Sequence, residues 1–252
     1  MAVYLSTAVR SILLDIEGTT TPISFVHEVL FSYARNNLKH YLEENIDALE
    51  LHDDLTNLRN EHAVDRQQGL EPPPFVEGPR AVQIESVNIY ATWLIDRDRK
   101  STSLKSLQGK IWRQGYLDGS LKAEIFGDVP AALDRWQRAG LRICIFSSGS
   151  VLAQKLLFAH TVAGDLTGYL EGYFDTTTGP KTEGESYRHI ALALQLRPHE
   201  VLFISDVVKE LDAAKAAGMQ TLLCVRPGNQ TQEMAASYQS IQSFSNIENP
   251  ER

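Results

Sequence analysis

Ser11-Ile12-Leu13-Leu14-Asp15-Ile16-Glu17-Gly18-Thr19-Thr20 is the stretch from which the rest of the chain can be read. A short apolar run that stops at Gly-Thr-Thr predicts a buried strand over 11–16 and a polar turn after it. Two later stretches repeat the pattern. Ile143-Cys144-Ile145-Phe146 leads into Ser147-Ser148-Gly149-Ser150, and Val201-Leu202-Phe203-Ile204 leads into Ser205-Asp206. Parallel strands end along one edge of their sheet, and ligands of open α/β sheets bind outside that edge. Asp15, the Ser147-Ser148 pair and Asp206 are therefore expected to share a pocket despite their distance along the chain.

After the first strand the period changes. Phe25, Val26, Val29, Leu30, Tyr33, Leu38, Tyr41 and Leu42 recur at helical spacing. Further helices are expected over 46–68, around 82–94, and around 104–111, the last ending before Gly115. Gly69 and Pro72-Pro73-Pro74 separate the second from the third. From there strands and helices alternate. Helices are expected over 128–139 (with Asp128 as cap), 151–159, 185–194 and 210–217, and strands over 141–146, 173–174, 201–204 and 221–225. This rhythm predicts an α/β fold, a doubly wound parallel sheet covered on both faces. Residues 1–20 and 126–252 would form that core, and residues 21–125 an α-helical insert after its first strand. The polar stretch Gln230 to Arg252 reads as a surface tail.

At 252 residues the chain has room for one large domain or a core with a smaller one inserted. A net charge of −8 argues against nucleic acid as the main partner, though not against an anionic substrate, because a local field can oppose the net charge. Both cysteines, Cys144 and Cys224, lie in apolar runs and are expected to be buried thiols. Neither a disulfide framework nor a zinc spacing is present, which fits a reducing compartment. The first eleven residues lack a signal-peptide core, and no apolar run approaches the ~20 residues of a membrane helix. A cytoplasmic location without membrane contact is expected. No distinct assembly segment stands out, so a monomer is expected.

The polar patches suit phosphoryl chemistry. A strand-end carboxylate such as Asp15 can act as nucleophile toward phosphorus. Glu17, two residues on, points to the same side of an extended backbone and could protonate a leaving group and then activate water. Gly18-Thr19-Thr20 could offer amides and hydroxyls to phosphate oxygens, and Ser147-Ser148-Gly149 could do so at a helix N-terminus. Lys181, after the turn Gly179-Pro180, could neutralise a phosphate. Asp206 with Asp15 could hold Mg²⁺, and Glu210 could bond to a metal-bound water. Each patch taken alone also serves ordinary turns and caps: Asp, Ser and Thr favour both, and Glu210 also suits the first turn of a helix.

In chain order, Asp15-x-Glu17-Gly-Thr, Ser147-Ser148, Lys181 and Asp206 resemble the four motifs of haloacid dehalogenase-superfamily phosphohydrolases. Most phosphatases of that superfamily carry Asp where this chain has Glu17. That departure, together with Leu14-Asp15-Ile16-Glu17-Gly18-Thr19-Thr20-Thr21-Pro22-Ile23, is similar to the enolase-phosphatase E1 family, the acireductone synthases of methionine salvage. So are Ile111-Trp112-x-x-Gly115-Tyr116, Phe146-Ser147-Ser148-Gly149-Ser150, Lys181-x-x-x-Glu185-Ser186-Tyr187 and Val225-Arg226-Pro227-Gly228. The resemblance implies enolisation of 2,3-diketo-5-methylthiopentyl-1-phosphate, then removal of its phosphate to give acireductone. By position it implies Asp15 as nucleophile and Asp15, Glu17 and Asp206 as the site of one Mg²⁺ per subunit. Ser147, Ser148 and Lys181 would bind the phosphate, and the helical insert would be a cap.

Three other readings compete. Another hydrolase on the same core, acting on a hexose phosphate or a 2-haloacid, is the nearest rival. A non-enzymatic phospho-acceptor module would also use a strand-end Asp, Mg²⁺ and Lys, but needs only ~120 residues and no long insert. A dinucleotide-dependent oxidoreductase is disfavoured, since no Gly-x-Gly-x-x-Gly follows the first strand.

Overall fold

The computed structural model describes residues 2–97, 99, 101–230 and 235–248, in two compact units. One comprises Met1–Val26 and Lys122–Arg252, the other His27–Leu121.

The first unit is built on six parallel strands. They are β2 (Ser11–Leu14), β3 (Arg142–Phe146), β4 (Gly172–Phe174), β5 (Val201–Ser205), β6 (Gln220–Cys224) and β7 (Ser240–Ile241), in the order β4-β3-β2-β5-β6-β7. The expected doubly wound sheet is present. Strand order reverses direction at β2, which makes its C-terminal end the switch point where such sheets bind ligands. Register places Leu14 beside both Ile145 and Ile204. One residue further along, Asp15 lies level with Phe146 and Ser205, just short of Ser147 and Asp206.

The central strands β2, β3 and β5 bury both faces. Leu13, Cys144, Phe146, Phe203 and Leu223 pack with Tyr187, Ile190 and Ala191 of α7 (Gly184–Ala193) and with Leu211 and Ala214 of α8 (Val208–Ala216). Full burial of one such leucine is worth about 1.5–3 kcal/mol. The alternate residues Ile12, Leu14, Ile143, Ile145 and Ile204 are also buried. On β3 packs α5 (Val129–Arg138), and α6 (Val151–Ala159) packs on β4. Both cysteines are buried, with their thiol pKa values pushed up by desolvation, Cys144 to about 11 and Cys224 to about 12.

The polar C-terminal stretch is not a surface tail where it is described. Strand β7 extends the sheet, and β8 (Ile247–Glu248) pairs in parallel with β1 (Val3–Tyr4). Phe244 is fully buried against Trp136, with ring centroids 5.2 Å apart. Two-residue strands and one isolated aromatic leave too short a pattern to read from sequence. Residues 231–234 and 249–252 of that stretch lie outside the described residues. Nor does Asp128 cap α5. Its carboxylate instead accepts from Arg226 Nη1, Ser243 Oγ and the Phe244 amide, which ties the C-terminal segment down.

The second unit is helical: α1 (Phe31–Asn45), α2 (Leu49–Gln67), α3 (Arg80–Ile95) and α4 (Thr102–Asp118). Their common core holds Leu38, Leu42, Leu58, Val87, Leu94 and Leu107. Helix α4 does not stop before Gly115; it ends at Gly119, whose φ of +79° suits a left-handed C-terminal residue. Gly115 serves packing instead, because a Cβ there would come within 2.4 Å of the Tyr33 hydroxyl oxygen. Among the described residues no helix is long and apolar enough to cross a membrane.

Candidate active site

Asp15 sits at the end of β2 with its amide bonded to the Ile204 carbonyl, 3.0 Å away, so the ladder holds its backbone. Its buried carboxylate accepts a hydrogen bond from Lys181 Nζ at 2.5 Å. Lys181 also bonds Glu210 Oε2 at 2.7 Å, and Ser205 Oγ donates to the same oxygen at 3.0 Å. The Tyr187 hydroxyl donates to the Lys181 carbonyl at 2.7 Å, which fixes the backbone that carries the ammonium. Lys155, Lys209 and Lys215 are exposed, as their helical positions suggest, and only Lys181 of these four is buried.

The pocket carries more negative than positive charge. Asp15, Asp206 and Glu210 are all buried, and Lys181 is the buried lysine among them. Burial, then repulsion from Asp15 and Glu210, pushes the Asp206 carboxyl up to about 8. Burial, then Asp15, pushes Glu210 up to about 7, against the pull of Lys181. Burial alone would lower the Lys181 pKa, but Asp15 and Glu210 more than reverse it, so the ammonium stays charged. Glu210 is therefore less a helix-end charge than the second anchor of Lys181.

The turn after Asp15 departs from the sequence reading. The Gly18 amide donates to the Thr21 carbonyl, and the Thr19, Thr20 and Thr21 amides all donate to the Ile16 carbonyl. Thr20 Oγ1 donates back to the Asp15 and Ile16 carbonyls. These amides and the Thr20 hydroxyl close the turn on itself, so the expectation that they would cradle a phosphate is corrected; the buried Thr19 hydroxyl has no hydrogen-bond partner. Gly18 itself is required: its φ is +70°, and a Cβ would fall 2.3 Å from Asp206 Oδ2. Glu17 is half-buried beside this turn and pairs in bridge fashion with Thr21.

At the end of β3, Ser150 and not Ser147 or Ser148 caps α6, accepting from the Ala153 amide at 3.3 Å. Ser147 is buried and its Oγ accepts from the Gly149 amide at 3.1 Å, while Ser148 is exposed. The capping role that would have explained all three serines is filled by one. Among the described residues, no three His, Cys, Asp or Glu side chains gather as a ready-made metal cluster.

Sequence reasoning gave no role to a second arm of the site. Arg226 lies buried between the Phe126 and Phe244 rings, its carbon 4.4 and 4.7 Å from their centroids, and its Nε donates to the Thr19 carbonyl at 3.1 Å. Asn229 Nδ2 donates to the Gly18 carbonyl at 2.9 Å. The motif Val225-Arg226-Pro227-Gly228 was visible, but not what it touches.

A model of haloacid dehalogenase-like hydrolases matches residues 9–218. A Synechococcus elongatus protein named enolase-phosphatase E1 is 50% identical over 243 residues, covering 96% of this chain and 99% of that protein. The chain belongs to the enolase-phosphatase E1 family of haloacid dehalogenase-like hydrolases. A second member, a Vitis vinifera protein named as a probable bifunctional methylthioribulose-1-phosphate dehydratase/enolase-phosphatase E1, is 44% identical over 244 residues. That match covers 94% of this chain and 47% of the longer plant protein. The crystal structure of the UTR4 protein of Saccharomyces cerevisiae is similar, with 34% identity, a TM-score of 0.74, and coverage of 94% of this chain and 98% of that one. Members of the enolase-phosphatase E1 family are phosphatases.

Proposed function

We propose that the enzyme enolises 2,3-diketo-5-methylthiopentyl-1-phosphate and then hydrolyses its phosphate, giving 1,2-dihydroxy-3-keto-5-methylthiopentene for methionine salvage. The observation that carries this reading is a buried strand-end carboxylate, Asp15, bonded to Lys181, on a chain half identical to proteins named for the activity.

In the phosphatase step Asp15 attacks phosphorus. A bond forms between its carboxylate and phosphorus, the bond from phosphorus to the substrate oxygen breaks, and Glu17 gives that oxygen a proton. Glu17 then takes a proton from water as the water cleaves the aspartyl-phosphate, which restores both carboxyls. Lys181, bonded to Asp15, balances the phosphoryl charge, and Ser147 and Ser148 bind the remaining phosphate oxygens. Glu17 is also the candidate base for enolisation.

One Mg²⁺ per subunit fits the residues. Three buried carboxylates, Asp15, Asp206 and Glu210, lie with one buried lysine, and the Asp206 carboxyl is raised by burial first and then by repulsion from Asp15 and Glu210. Asp15, Glu17 and Asp206 would hold the ion; Mg²⁺ retains waters and needs only a few carboxylates, so a dense ligand cluster is not required. Bound there, the ion would offset charge on the nucleophile and phosphoryl group and polarise a substrate oxygen. The helical insert would act as the cap, the protein would work as a monomer in the cytoplasm, and the small diketo phosphate would be its partner.

The test supplies the diketo phosphate with Mg²⁺, following the enol by ultraviolet absorption and the second step by a phosphate assay. Transient enol followed by phosphate is expected. Phosphate release with no enol-dependent product would reduce the enzyme to a simple phosphatase.

A further inference from the structure

We propose that Asn229 is a positioning residue of the reaction, holding the turn that carries Glu17 through the Gly18 carbonyl. The inference rests on the reading of Asp15 and Glu17 as reacting groups.

The amides of the 18–21 turn are spent inside it, so its outward hold depends on carbonyls. Three successive carbonyls are each taken by a donor from elsewhere. Gly18 O accepts from Asn229 Nδ2 at 2.9 Å, Thr19 O from Arg226 Nε at 3.1 Å, and Thr20 O from the Phe126 amide at 3.0 Å. Arg226 is clamped in turn by Asp128, the Gln242 carbonyl and two aromatic rings. It belongs to the body of the fold. Asn229 is different: it is half-buried, on a turn opened by Gly228 at φ +88°, and it touches the residue next to Glu17.

The orientation of its amide is dictated by chemistry. Both groups within reach of Nδ2, Gly18 O at 2.9 Å and Cys224 O at 3.4 Å, are acceptors, so the nitrogen faces them. Asn229 thereby joins the end of β6 to the turn after Glu17. Its Oδ1 lies on the other side, 3.0 Å from where a Gly18 Cβ would be, in the space that Asp206 also borders.

Removing this link leaves Asp15 in place, because its amide is held by the Ile204 carbonyl in the sheet. Lys181 and Ser147 are held by other elements. The slack falls first on the turn that carries Glu17. A defect in that turn lowers kcat and spares KM, since Lys181 and Ser147, the proposed phosphate-binding groups, are held elsewhere.

The experiment compares full-length wild type with Asn229→Ala and with Asn229→Asp, the latter keeping the shape but setting a carboxylate against the Gly18 carbonyl. Phosphate release from the diketo phosphate gives kcat and KM, and hydrogen–deuterium exchange follows the peptide covering residues 16–21. The expected result is a kcat at least about tenfold lower, KM within about threefold, and faster exchange in that peptide; a 1 Å misplacement of a reacting group can cost ~100-fold. Met219→Ala, a buried change at the start of β6 away from the turn, serves as control and is expected to lower thermal stability without either signature. A kcat within twofold of wild type in the folded Asn229 variants, or unchanged exchange over 16–21, overturns the proposal. So does Met219→Ala reproducing both effects. Wild type that releases no phosphate from this substrate overturns the functional reading instead, and the exchange comparison then still decides whether Asn229 holds the turn.

Discussion

Gly18→Ala separates backbone cost from site geometry. At φ +70° an alanine pays about 1 kcal/mol for the left-handed conformation. Its Cβ would also stand 2.3 Å from Asp206 Oδ2, 2.7 Å from its Cγ and 3.0 Å from Asn229 Oδ1. Something must move, and overpacking of this kind costs about 1–3 kcal/mol. Asp206 is short and can turn its carboxylate aside, so the steric part belongs near the low end, for a total of about 2 kcal/mol. For a domain of this size that is a fall of about 4–8 °C in Tm. The catalytic loss should exceed the stability loss, because the displaced group is a proposed metal carboxylate; a fall in phosphate release of about 100-fold is expected. Gly140→Ala is the internal control. Its φ is +74° but nothing lies within 4 Å of the added Cβ, so it pays the backbone term alone. Calorimetric Tm and steady-state kinetics on both variants check the argument. If Gly18→Ala matched Gly140→Ala in both measurements, the close approach of Asp206 to Gly18 would not constrain the site.

Four further outcomes are expected. Asp15→Asn should fold normally by circular dichroism and release no phosphate; release at the wild-type rate would end its assignment as nucleophile. Lys181→Met strips the shared cation from Asp15 and Glu210, and breaking a buried pair this way costs about 3–5 kcal/mol; urea midpoints would show it, with loss of activity. Burial alone would raise the Asp128 pKa, but Arg226, Ser243 and the Phe244 amide outweigh it and hold the carboxyl below its ordinary value. Its contribution is therefore present above about pH 4 and lost as pH falls through the folded pKa, so the stability gap between wild type and Asp128→Asn should be wide at pH 7 and close in acid. EDTA should abolish turnover and Mg²⁺ restore it, and Mg²⁺ should raise the Tm of wild type more than that of Asp206→Asn.

Much of the site was legible because its parts end strands. Apolar runs before Asp15, Ser147 and Asp206 set the strands, and parallel register brings their ends level. Glu17 in place of the usual Asp pointed to the family before any geometry. Other features were hidden for physical reasons. A serine at a helix start reads alike whether it caps or binds, and only the hydrogen bond to the Ala153 amide assigns capping to Ser150. Amides of a Gly-Thr-Thr turn read as free donors until their acceptors are known.

By itself the sequence determined the strand periodicity, the helical insert, the identity of the acidic, hydroxyl and basic groups and, through them, the family. Tertiary structure decided which of those groups are already committed. It tied Lys181 to both Asp15 and Glu210, closed the Gly18–Thr21 turn on itself, and brought Asn229, Arg226 and a buried C-terminal segment against that turn. The reason is that periodicity and residue type are local, whereas burial, hydrogen-bond partners and the charge balance of a pocket depend on residues brought together from distant parts of the chain.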